Sequence, residues 1–155
     1  MKKVRLGIIG IGQQGGLYTR LLTGNSTTFS GRPPRYVPDN MVIGAICDIN
    51  PEIEKQYKEE YPELPFFSDW KELVDSRLVD AVVTTGPHYL HTEIAIYCLE
   101  HGVHVLVEKP ASVAAKHVRE MNECAARHPE LTFGIMFNQR TNPLYIKVRE
   151  LIQSG

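Results

Sequence analysis

Three glycines at a fixed spacing, Gly10-Ile11-Gly12-Gln13-Gln14-Gly15, stand directly after the apolar run Val4-Arg5-Leu6-Gly7-Ile8-Ile9. This spacing suits a pyrophosphate. The first glycine permits a tight turn, the second lets phosphate oxygens approach the backbone, and the third lets the next helix pack against the strand. Gln13 and Gln14 fall in the first helical turn, where free N–H groups and the positive dipole end favour an anion. Alone the motif is a weak signal, because glycines also serve as ordinary turn residues. Its place after an apolar strand makes nucleotide binding the leading reading. Gly16 adds a small residue to which no role is assigned.

A dinucleotide site also asks for an acidic residue at the end of the second strand, to bind ribose hydroxyls. Asp48 stands there, after Ala45-Ile46-Cys47. Its separation from Gly15 exceeds the usual gap of roughly 20 residues, and an inserted loop accounts for the excess. The competing reading makes Asp48 a helix cap ahead of Asn50-Pro51. A carboxylate here repels the 2′-phosphate of NADP, and Ile49 and Asn50 supply no cation beside it. NAD is therefore expected over NADP. Two more clusters, Thr84-Thr85-Gly86-Pro87-His88-Tyr89-Leu90-His91 and Val107-Glu108-Lys109-Pro110, follow apolar runs. Both fall at the carboxyl ends of strands, where open α/β sheets bind ligands.

The elements that must position these residues follow from the apolar pattern. Short apolar runs at 4–9, 41–47, 81–83, 103–107 and 131–135 alternate with longer segments of helical period. That alternation implies a parallel sheet covered by helices on both faces, and a minor strand fits at Phe66-Phe67. Asn50 and Pro51 form a cap followed by proline at the first helical position, with Ile53, Tyr57 and Tyr61 on one face. Asp69 can cap a short helix carrying Leu73 and Val74. From Tyr89 to Glu100 a helix buries Ile94, Cys98 and Leu99, and Gly102 ends it. Ser112 can cap a helix whose inner face is Ala114, Val118, Met121 and Ala125. Asn142-Pro143 opens a last helix with Leu144, Val148 and Leu151 facing inward. Residues 25–40, rich in proline and small polar types, read as a long surface loop. The fold class is α/β, a doubly wound Rossmann fold.

At these residues the chain resembles the glucose–fructose oxidoreductase / inositol dehydrogenase / MocA-like family. The resemblance is carried by Gly10, Gly12 and Gly15, Asp48, Pro87 with His91, the run from Gly102 to Pro110, and Asn138-Gln139-Arg140 with Pro143. It covers essentially the whole chain, and Glu108-Lys109-Pro110 is its most specific part. It implies that Lys109 is catalytic: it orients a substrate hydroxyl and assists proton transfer while hydride moves to or from the nicotinamide. A desolvated or cation-flanked lysine can have its pKa lowered for such work. The competing reading pairs Lys109 with Glu108 on the sheet rim. Pro87, His88, His91 and Glu108 join the cofactor-binding set by the same resemblance. Family members carry Thr-Pro-Asn where this chain has Gly86-Pro87-His88, so His88 replaces an asparagine and reads mainly as a loop histidine. His91 reads mainly as a cap or packing residue. The resemblance further implies a second α+β domain, bearing a catalytic histidine and the oligomer interface. The expected division is a dinucleotide-binding domain over 1–137 and the start of a truncated substrate domain over 138–155.

Composition bounds the alternatives. The chain has 155 residues, 43% hydrophobic and 23% charged, which is the balance of one globular domain. A net charge of −1 creates no field for nucleic acid or an anionic membrane. No apolar stretch approaches the roughly 20 residues of a membrane span. Lys2, Lys3 and Arg5 read as a solvated lead into the first strand. Cys47, Cys98 and Cys124 lie apart in apolar segments, so buried reduced thiols and a cytoplasmic setting are expected. His101, His104, His117 and His128 show no metal-ligand spacing, and no metal is expected. Trp70 and the tyrosines read as packing residues. The leading function is the nucleotide-binding part of an NAD-dependent oxidoreductase acting on a sugar, cyclitol or related polyol. The full-length protein is expected to be a homo-oligomer, and this chain alone is expected to be inactive. A non-catalytic dinucleotide sensor is the alternative; a methyltransferase using S-adenosylmethionine fits the glycine spacing and Glu108-Lys109-Pro110 less well.

Overall fold

A computed structural model describes residues 3–24 and 38–155. The strands are β1 (Val4–Ile9), β2 (Met41–Cys47), β3 (Phe66–Phe67), β4 (Ala81–Thr84), β5 (His104–Val107) and β6 (Phe133–Ile135). They form one sheet in the order β3-β2-β1-β4-β5-β6, and every neighbouring pair is parallel. The helices are α1 (Gln13–Thr23), α2 (Pro51–Glu60), α3 (Trp70–Asp75), α4 (His91–Glu100), α5 (Ala115–Arg127) and α6 (Pro143–Ser154). Short 3₁₀ turns at His88–Leu90 and Asn138–Thr141 precede α4 and α6.

The side-chain alternation of the strands divides the core into two layers. Ile8, Ile46 and Val83 point to the side of α1 and α2, where Tyr57 and Tyr61 meet them. Ile9, Ala45, Cys47, Val82, Val105 and Val107 point the other way, against Leu73, Ile94, Leu99 and Met121 of α3, α4 and α5. Strands apolar on both sides are thus explained by helices on both sides. Strand order reverses between β1 and β4, and a crevice opens beyond their carboxyl ends. At the other end of β1, Arg5 forks onto Asp80, with Nη2 to Oδ1 at 2.7 Å and Nε to Oδ2 at 3.0 Å. Arg5 therefore fastens β1 to the lead into β4, far from the crevice.

Several caps stand where the residue types put them. Asn50 accepts from Glu52 N at 2.9 Å, Asp69 from Lys71 N at 2.8 Å, and Asn142 from Leu144 N at 3.0 Å. Three helix expectations are corrected. The segment from Tyr89 begins as a 3₁₀ turn, and the α-helix proper starts at His91. Ser112 does not cap α5; its hydroxyl shares a 2.8 Å hydrogen bond with that of Thr92, and the helix begins three residues later with Ala114, an exposed residue, at the cap position. Leu144, Val148 and Leu151 of α6 face solvent, at 67%, 43% and 60% exposure. The period that marks an apolar stripe says nothing about whether a surface exists to receive it, and every residue of α6 is exposed. The loop expected over 25–40 lies, for 25–37, outside the described residues.

Candidate dinucleotide-binding site

The glycine loop joins β1 to α1, and its three glycines meet different constraints. Gly10 has φ +93°, and a Cβ there would lie 2.5 Å from the backbone of Gly86 on the β4 loop. A Cβ on Gly15 would lie 2.1 Å from the carbonyl oxygen of Gly10 and 2.7 Å from Thr85 Oγ1. These two glycines are demanded by the protein itself. At Gly12 a Cβ would meet nothing within 4 Å, and its φ of −76° is open to any residue. Nothing among the described residues requires a glycine there, so the open space fits a ligand that approaches the backbone closely. Gly12 is also the N-cap of α1, with no side-chain cap and no acidic residue in the first turn. The helix thus presents its first N–H groups and positive dipole end to that space, which suits a pyrophosphate.

Thr85 pins the loop from the other side. Its hydroxyl donates to the carbonyl of Gly10 at 2.5 Å and approaches that of Ile9 at 3.1 Å. Asp48, at the end of β2, accepts from Ile11 N at 2.7 Å and from Asn50 N at 2.9 Å. The helix cap is Asn50, which leaves Asp48 as a bridge between the glycine loop and the β2 end. Gly10, Gly12, Asp48, Ile49, Trp70 and Pro87 are among the residues lining a cleft of about 360 Å³ over the β1, β2 and β4 ends, a size in the range of small-molecule sites. Trp70 is half-buried and packs edge-on against Tyr97, ring centres 5.2 Å apart. It also forms part of the cleft wall, a placement its sequence context did not show.

The β4 and β5 loops meet beside this cleft. Pro87, His88 and Lys109 are exposed there. The Lys109 ammonium makes no ion pair or hydrogen bond among the described residues, so the rim pairing with Glu108 is absent. Glu108 is 6% exposed; its Oε1 accepts a hydrogen bond from the Tyr18 hydroxyl, and its Oε2 accepts from the backbone N–H of Lys109 at 3.0 Å. Burial and donation to Glu108 hold the Tyr18 phenol well above its ordinary range, while a hydrogen bond with Gln14 pulls the other way. Tyr18 drew no notice as a functional residue in the sequence, because one aromatic on an amphipathic helix looks like packing.

His91 is fully buried beneath both loops. Its Nδ1 lies 3.0 Å from the carbonyl oxygen of Pro110 and its Nε2 lies 3.2 Å from that of Gly86. Both ring nitrogens thus face backbone carbonyls, to one of which the neutral ring donates its single N–H, and the side chain supports the site from below without lining it. Burial lowers its pKa, against the two carbonyls and the nearby Glu108, which raise it. Among the described residues no three His, Cys, Asp or Glu side chains gather as a metal site. No helix among them is long and apolar enough to cross a membrane.

Residues 4–135 match the family described as oxidoreductase family, NAD-binding Rossmann fold. The chain belongs to that family. Among its relatives is the levoglucosan dehydrogenase of Pseudarthrobacter phenanthrenivorans, 26% identical over 100% of this chain and 38% of the relative. The inositol 2-dehydrogenase of Salmonella typhimurium is 26% identical over 98% of this chain and 42% of the relative. The crystal structure of myo-inositol 2-dehydrogenase from Lactobacillus plantarum superposes with a TM-score of 0.83 at 25% identity, covering 99% of this chain and 42% of that one. The chain thus spans about two fifths of the length of these family members.

Proposed function

We propose that this chain is the NAD-binding part of an oxidoreductase that moves hydride between nicotinamide C4 and a secondary alcohol or ketone of a sugar, cyclitol or related polyol. The observation that carries the reading is the open space at Gly12 facing an uncapped helix N-terminus, with Asp48 on the rim of the same cleft. Gly10, Gly12, Gln13, Gln14 and Gly15 would hold the pyrophosphate, and Asp48 the adenosine ribose hydroxyls. Pro87 and His88 would flank the nicotinamide ribose, while His91 and Glu108 hold the loops around it. The levoglucosan and inositol dehydrogenases among its relatives support the polyol class.

When bound, the nicotinamide supplies the hydride donor or acceptor. The chain's own part is to orient and to handle a proton. Lys109, exposed just beyond β5 and without an ion pair among the described residues, would hydrogen-bond a substrate hydroxyl and take or return its proton. A substrate domain beyond 138 would complete the pocket, and three free buried thiols support a reducing, cytoplasmic setting.

Calorimetric titration with NADH and NADPH tests the cofactor half. NADH should bind more tightly than NADPH, because the Asp48 carboxylate repels a 2′-phosphate. Asp48→Asn keeps an acceptor for Ile11 N and removes the charge. It should weaken NADH by about tenfold, the loss of one charge-assisted hydrogen bond, and narrow the preference. Failure of both nucleotides to bind the wild-type chain would overturn the reading.

A further inference from the structure

The hydroxyl of Tyr18 reaches across 90 positions of sequence to the buried carboxylate of Glu108. Tyr18 belongs to α1, the helix whose N-terminus faces the space at Gly12. Glu108 closes β5 and immediately precedes Lys109. We propose that Tyr18 is a positioning residue for Lys109, fastening the lysine's backbone to the phosphate-facing helix through Glu108. The inference rests on the dinucleotide reading given above.

The geometry is a chain of donors and acceptors with no slack. Tyr18 donates to one oxygen of Glu108, and the Lys109 N–H donates to the other. Glu108 is 6% exposed, so water cannot readily replace either partner. A buried carboxylate that loses a donor must find another or shift, because leaving it short of partners is costly. Any shift moves Lys109, since one of the two oxygens holds that residue's own amide. The phenol stays protonated across the working pH range, raised by burial and by Glu108, so it acts as a fixed donor and does not join in proton transfer. Lys109 itself remains exposed, its ammonium without an ion pair or hydrogen bond among the described residues.

Nothing in the α1 packing demands the hydroxyl. The Tyr18 ring lies half-buried beside Leu6, Leu22 and Leu106 in the layer under α1 and α2, where phenylalanine would fill the same space. The oxygen is the part of the side chain that addresses Glu108.

The test compares wild type, Tyr18→Phe, Glu108→Gln and the double variant. In the ligand-free chain, Tyr18→Phe should move the Lys109 amide signal in a ¹H–¹⁵N spectrum and speed its exchange with solvent. Unchanged position and exchange at Lys109 would overturn the proposal whatever the nucleotides do. With nucleotides, Tyr18→Phe should weaken NADH by about tenfold, on the scale of a charge-assisted hydrogen bond, and leave ADP-ribose within about twofold. ADP-ribose has the pyrophosphate but no nicotinamide, so it reports on α1 alone. Equal losses for both ligands would mean that Tyr18 merely holds α1 in place, and would overturn the proposal. The double variant should bind NADH no worse than Glu108→Gln alone, because the hydroxyl acts through that carboxylate; additive losses would count against it. If the wild-type chain binds neither NADH nor ADP-ribose, the dinucleotide reading falls and takes this inference with it.

Discussion

Alanine at Gly12 and alanine at Gly15 add the same methyl group three and six residues beyond the end of β1 at Ile9, yet they should fail in different assays. At Gly15 the new Cβ would stand 2.1 Å from the Gly10 carbonyl oxygen and 2.7 Å from Thr85 Oγ1. One of those neighbours is backbone, so the loop itself must move, and overpacking of this kind costs about 1–3 kcal/mol or more. For a chain of this size that lowers Tm by roughly 2–4 °C per kcal/mol. At Gly12 the Cβ meets nothing within 4 Å and the backbone angles are ordinary. Alanine there loses a little as a helix cap and gains a little through the unfolded chain, so stability should stay within about 1 kcal/mol of wild type. The methyl would occupy the space assigned to the pyrophosphate, however, and ADP-ribose binding should fall by about tenfold to a hundredfold, or 1.4–2.8 kcal/mol. Thermal unfolding and calorimetry with ADP-ribose, run side by side on both variants, separate the two effects. A Gly12→Ala chain that binds ADP-ribose like wild type would refute the reasoning, as would one that loses as much stability as Gly15→Ala.

Two other expectations follow from burial. Cys98 and Cys124 are 0% exposed and Cys47 is 2% exposed, and burial pushes the Cys47 and Cys98 thiols up to about 12. A thiol reagent at pH 8 should label all three only after unfolding in urea; fast labelling of Cys47 in the native chain would show the cleft floor to be open. His91 has a folded-state pKa below its unfolded value of 6.5, so the unfolded chain takes up the proton first. Its contribution to stability is complete above the unfolded value and is lost as pH falls below it. Urea unfolding should give a smaller unfolding free energy at pH 5.5 than at pH 7.5, with a smaller difference in His91→Asn; an equal pH dependence in the variant would remove His91 as a cause.

The strands were the most legible part of this chain, because continuous apolar runs leave few choices in a sheet covered on both sides. β1 and β2 occupy the expected residues, and β4, β5 and β6 differ only at their ends. The caps at Asn50, Asp69 and Asn142 were legible for a local reason: an Asx side chain reaches the N–H two residues ahead of it. Ser112 failed the same inference because Thr92, twenty positions earlier, offered its hydroxyl a partner outside the helix. The stripe on α6 has the helical period of a buried face, yet nothing among the described residues covers it.

Residue type and spacing by themselves determined the alternating α/β order, the glycine loop after β1 and the acidic residue after β2. Each of these depends on groups close along the chain, whose relative placement follows from backbone geometry. Only the tertiary structure decided that Gly12 opens on empty space while Gly15 is wedged against Gly10 and Thr85. It alone placed Trp70 in the cleft wall, set both nitrogens of His91 on carbonyls of two different loops, and turned Glu108 toward Tyr18 and away from the Lys109 ammonium. Those pairings join residues brought together by sheet order and helix packing, and a polar group buried at such a junction takes whichever partner the fold delivers.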